Sequence, residues 1–61
     1  MKTITVGEKI KVVKKVDCSI PIGSTATILY IDDFAKVFIE WANGKIDSFP
    51  DKQILSSFDK N

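Results

Sequence analysis

Sixty-one residues with a net charge of +1 make one domain at most, and a chain this short buries only about 60% of the surface its unfolded form exposes. The absence of histidine and the single cysteine exclude disulfide frameworks, zinc clusters of the usual ligand spacing and Cys/His or Ser/His nucleophilic pairs. Near-neutral charge excludes a strong overall field toward nucleic acid or an anionic membrane, but the charges are lopsided. Residues 1–16 carry Lys2, Lys9, Lys11, Lys14 and Lys15 against Glu8 alone, whereas residues 17–61 carry four lysines against seven acids.

The opening MKTITVGEKIKV has no apolar run long enough for a signal-peptide core, and nothing later approaches the roughly 20 apolar residues of a membrane span, so a cytoplasmic protein is expected. Glu8 to Val16 reads as a first strand, with Ile10 and Val12 on one side and Lys9 and Lys11 on the other. Asp17 to Gly23 is a loop that holds Cys18 as a reduced thiol. The β-branched stretch Ser24 to Ile31 is a second strand, turned by Asp32-Asp33. Strands at about 35–42 and 45–49 flank Asn43-Gly44, a pair suited to a two-residue type I′ turn. Pro50 ends the ladder, PDKQ is expected to form one 3₁₀ turn, and a short strand at about 54–58 completes the chain.

Five short strands in this order close into a small all-β, SH3-like barrel spanning residues 1–61, with its core between about 7 and 58. PIGSTATILYIDD followed by VFIEWANG resembles a family of short bacterial and phage domains of uncharacterised function. Its members run approximately G-T-x-G-T-V, two residues, V-D-D, then V-x-W-x-N-G. The likeness covers about residues 7–55, with Ser24 and Ala26 standing where the family has threonine and glycine. The resemblance implies no catalytic residues. It does imply an association with phage and mobile elements, and hence an accessory protein that binds and inhibits a host factor such as a defence nuclease.

A two-residue turn sets Ala42 opposite Lys45, Trp41 opposite Ile46, Glu40 opposite Asp47 and Phe38 opposite Phe49. Val37, Ile39, Trp41 and Ile46 then face inward with Ile10, Val12, Ala26, Ile28 and Ile54 as the core. The reverse side shows Phe38, Phe49, Glu40 and Asp47. Like charges across a strand pair cost a few tenths of a kcal/mol, so stability alone gives no reason for Glu40 facing Asp47, and a basic protein partner does. These four residues, rimmed by Trp41, are the expected protein-binding surface. Burial of both phenyl rings under Ile4 and Val6 or under Leu55 and Phe58 is the structural alternative.

A second binding mode runs along the first strand, where Lys9, Lys11, Lys14 and Lys15 could follow a phosphate backbone in the manner of KOW-type barrels. The complete lack of arginine argues against base-specific readout. Proline-rich peptides require an aromatic groove that the first loop, DCSIPIG, does not supply, and for a methyl-lysine cage Phe38, Phe49 and Tyr30 make only a thin set. Asp32-Asp33, Glu40, Asp47 and Asp51 are carboxylates without a base, so no enzyme, metal or cofactor is expected. Homodimerisation through an exposed strand edge is the remaining mode considered.

Overall fold

Short alternating segments punctuated by tight turns favour an antiparallel sheet, and a computed structural model of residues 4–61 shows one. Lys2, counted above among the basic residues, lies outside the described residues. The elements are β1 (Lys9–Val12), β2 (Thr25–Ile31), β3 (Lys36–Trp41), β4 (Ile46–Pro50), α1 (Asp51–Ser57) and β5 (Phe58–Lys60). They form one antiparallel sheet in the order β4-β3-β2-β1-β5. β1 pairs Ile10 with Ala26 on one side and with Lys60 on the other. Coiled on itself, this sheet is a small SH3-like barrel.

The inner side collects Ile10, Val12, Ala26, Ile28, Val37, Ile39, Trp41, Ile54 and Phe58, all buried. Every expected core residue is among them except Ile46, which is 61% exposed. β4 and β5 stand at opposite ends of the sheet and are joined by side chains. The Phe49 ring meets Phe58 at 5.8 Å and Trp41 at 6.4 Å, and Trp41 meets Phe58 at 5.9 Å. Each such aromatic pair adds roughly 0.5–1.5 kcal/mol beyond its area burial, so the triangle closes the barrel where no backbone ladder does.

Three expectations are corrected. The first strand was expected to reach Val16, but its ladder stops at Val12 because the Val13 and Lys14 N–H groups both donate to the Ser57 carbonyl, at 2.8 and 3.2 Å. The single 3₁₀ turn before the last strand is instead the seven-residue helix α1, and the final strand begins only at Phe58. Ile54 and Ser57, three apart, both turn inward, and helical spacing is what permits that. Asp51 in the first turn suits the positive end of the helix.

The third correction is the β3–β4 register. Glu40 faces Ile46, Ile39 faces Asp47, Phe38 faces Ser48 and Val37 faces Phe49, one residue away from the expected pairing. The connection is the three-residue loop Ala42-Asn43-Gly44. The Gly44 N–H donates to the Trp41 carbonyl at 2.8 Å, Trp41 N–H donates to the Lys45 carbonyl at 2.7 Å, and the Asn43 side-chain oxygen accepts from Lys45 N–H at 3.0 Å. Gly44 alone has positive φ, at 90°, which is a type I turn closed by a glycine bulge; type I′ would need it at Asn43 too. Because strand sides alternate, the slip turns every β4 side chain over. It brings the larger Phe49 inward in place of Ile46.

Candidate functional site

The slip divides the expected binding surface. Phe38 and Glu40 stay on the outer side of β3, whereas Asp47 and Phe49 belong to the inner side with Trp41. Glu40 and Asp47 are therefore not opposite one another, and the charge repulsion inferred from their pairing is absent. Phe49 is half-buried against Trp41 and Phe58, whereas Phe38 stacks on Tyr30, so the structural alternative holds for one ring of the two.

Trp41 is a core residue, 8% exposed. Its indole N–H donates to the Asp47 carboxylate at 2.6 Å, so the inward turn of Asp47 gives the buried ring its polar partner. The edge of the indole still lines a cleft of about 630 Å³ between the first loop and the β3–β4 turn, shared with Asp17, Ile20, Pro21, Lys45 and Asp47.

Outside the barrel, a different aromatic group takes the place of the expected one. Tyr30 is opposite Phe38 and stacks on it with ring centroids 4.5 Å apart and planes 7° from parallel. Plain alternation from Ile28 would send Tyr30 inward. The ladder skips Leu29, however, and this bulge turns Tyr30 out, leaving it 51% exposed. At the tip of the same hairpin Phe34 is 91% exposed. The tip is built by Asp32, whose side-chain oxygen accepts from the N–H groups of Phe34 and Lys36, both at 2.8 Å. Asp32-Asp33 is thus turn chemistry. Sequence reasoning set Tyr30 only in a thin methyl-lysine cage and did not single out Phe34, since a bulge between two strands leaves no local signature.

The lysines do not make one basic track. Lys9 shares an outer groove with Glu40, Thr25 and Thr27. Lys11 faces Asp59 across the β1–β5 ladder. The Asp59 carboxyl is held below its ordinary range, first by the Lys60 backbone N–H at 2.8 Å and further by the positive charge of Lys11. Lys14 and Lys15 lie beyond the strand, with the Lys14 backbone bonded at the end of α1. Lys60 pairs with Glu8 at 3.4 Å. A phosphate backbone following β1 would meet carboxylates beside two of its four proposed contacts.

Among the described residues, no group of three or more His, Cys, Asp or Glu side chains is placed to hold a metal ion. No described helix is long and apolar enough to cross a membrane. Comparison with protein-family models, with curated proteins and with solved structures gives no significant match to this chain.

Proposed function

We propose that this chain is a non-catalytic protein-binding module that docks through the outer side of its β2–β3 hairpin. The observation that carries this reading is the stack of exposed Tyr30 on half-buried Phe38, with Phe34 exposed at the hairpin tip. A 61-residue barrel gains stability from every aromatic it encloses, yet this one leaves such rings in water. Grouped exposed apolar side chains rimmed by charge are the usual mark of an interaction surface, with aromatics as its anchors. Glu40, two residues along β3 from Phe38 and on the same side, and Asp33 at the tip make a basic partner the favoured one. The resemblance to phage and mobile-element domains supports an accessory role in which that partner is a host factor, such as a defence nuclease, held inactive by the bound module.

Affinity capture with the native chain and with a Tyr30→Ser/Phe34→Ser double variant tests the reading. A partner retained by the native chain and by Lys9→Glu/Lys11→Glu, and lost by the aromatic double variant, is the expected result. Retention by the aromatic variant and loss by the lysine variant would transfer the site to β1 and favour nucleic acid.

A further inference from the structure

We propose that the free edge of β4 takes an extended segment of the partner as an added strand, with a lysine or arginine of that segment set against Asp47. The inference rests on the protein-binding reading above and names the mode of contact. In an antiparallel pair, successive residues point their backbone groups alternately toward and away from the neighbouring strand. The Trp41 to Lys45 bond fixes the phase: Lys45, Asp47 and Phe49 point toward β3, so Ile46 and Ser48 point their N–H and C=O groups away from it. No hydrogen bond among the described residues takes up either N–H. Pro50, next in phase, has no N–H and ends the edge.

The opposite edge of the sheet is in a different condition. The outward Phe58 N–H is bonded to the Ile54 carbonyl, and the outward Lys60 N–H to the Asp59 side chain. The outward donors of β5 are therefore taken, whereas those of β4 are open. Unpaired edges are templates for another strand, and proteins normally blunt them.

What blunts β4 also selects its occupant. Asp47 lies between the two open donors and turns its carboxylate to the cleft walled by Asp17, Ile20 and Pro21. A second copy added antiparallel, in the register that uses both donors of each copy, would set Asp47 against Asp47. Like charges directly opposed are destabilising, so this edge disfavours its own kind. A heterologous strand with a cationic residue at that position gains the charge pair instead. Its alternate side chains would continue the outer side beside Ile46 and Ser48, where apolar residues suit the exposed Ile46 and the neighbouring Phe38. The segment that fits is extended, alternating cationic with apolar residues.

The test uses two short alternating peptides, lysine-valine and glutamate-valine, with amide exchange and chemical shifts read residue by residue on the whole chain. The lysine-valine peptide should slow exchange at Ile46 and Ser48 several-fold, and the glutamate-valine peptide should not. A lysine-valine peptide N-methylated at alternate amides should fail, which tests the backbone contact without altering the protein. Asp47→Asn, which keeps an oxygen for the Trp41 N–H, should lose the preference for lysine. Shifts at Tyr30, Phe34 and Phe38 with Ile46 and Ser48 unchanged overturn the edge assignment and leave the outer-side reading standing. Equal binding of the two peptides overturns the role of Asp47, and no response at Ile46 and Ser48 overturns the proposal outright. Concentration-dependent protection of these amides without peptide would show that a second copy takes the edge, and also overturns it.

Discussion

The indole N–H of Trp41 and the carboxylate of Asp47 are joined at 2.6 Å across the β3–β4 hairpin, a bond that exists only because the register places Asp47 on the inner side. A buried indole N–H left without an acceptor costs about 1–3 kcal/mol, so Asp47→Ala should lower unfolding stability by about 1–2 kcal/mol. For a domain of this size that is a drop of several degrees in Tm. Asp47→Asn retains an acceptor and should lose less than Asp47→Ala. Thermal unfolding followed by tryptophan fluorescence checks both, and equal stability of Asp47→Ala and the native chain would show that the bond contributes nothing.

Two hairpin loops of the same build carry opposite residues at the same position. Gly44 and Ala35 each follow a type I turn with positive φ, 90° and 62°. Alanine in the left-handed region costs roughly 1 kcal/mol, so Ala35→Gly should stabilise the fold by up to about 1 kcal/mol and Gly44→Ala should destabilise it by a similar amount. The strained conformation at Ala35 also aims its carbonyl at the start of α1, where it accepts the Asp51 N–H at 2.9 Å. Glycine keeps that bond. Paired denaturant titrations give the two signs directly.

How far the sequence determined these features differs from strand to strand. In β1, β2 and β3 the apolar residues share one parity: Ile10 with Val12, Ala26 with Ile28, and Val37 with Ile39 and Trp41. Alternation alone therefore identified the core and the sheet. β4 is different, because Ile46 and Phe49 are three residues apart and point to opposite sides, so the pattern contradicts itself. The loop decides, and Asn-Gly fits both a two-residue and a three-residue connection. One residue of loop length moved Phe49 in, Ile46 out and Asp47 to Trp41, and with them half of the expected site. Tyr30 escaped for a related reason, since the bulge at Leu29 depends on how two strands meet and not on either alone. The helix is hidden in the pattern because Ile54 and Phe58 suit a strand pattern, although their i, i+4 spacing also fits helix.

Asp59 gives the fold an acid-sensitive component of known sign. Its carboxyl titrates below the ordinary range in the folded state, so above that range its contribution to stability is complete. As pH falls through the lowered folded value the contribution is lost, because the unfolded chain takes up the proton first. Asp59→Asn should therefore flatten the acid side of the stability profile by lowering stability near neutrality and converging on the native chain at the acid end. The carboxyl is fully exposed, so the effect should shrink further in high salt. Unfolding midpoints measured across the acid range in low and high salt test this, and a native profile no steeper than that of Asp59→Asn would contradict it.

Phe34 and Phe58 are the most exposed and the most buried of the phenylalanines described above. Phe58 is fully buried and touches both Trp41 and Phe49, so truncation to alanine should cost about 3–5 kcal/mol, enough to unfold much of a domain this small. Phe34 is almost wholly in water and its turn is held by Asp32, not by the ring. Phe34→Ser should stay within about 0.5 kcal/mol of the native chain. Because Asp32 holds the backbone N–H of residue 34, the turn itself places no demand on the side chain there. If calorimetry instead finds Phe34→Ser destabilised by more than about 1 kcal/mol, beyond the range expected of a surface change, the ring is part of the fold and the outer side loses its most exposed anchor.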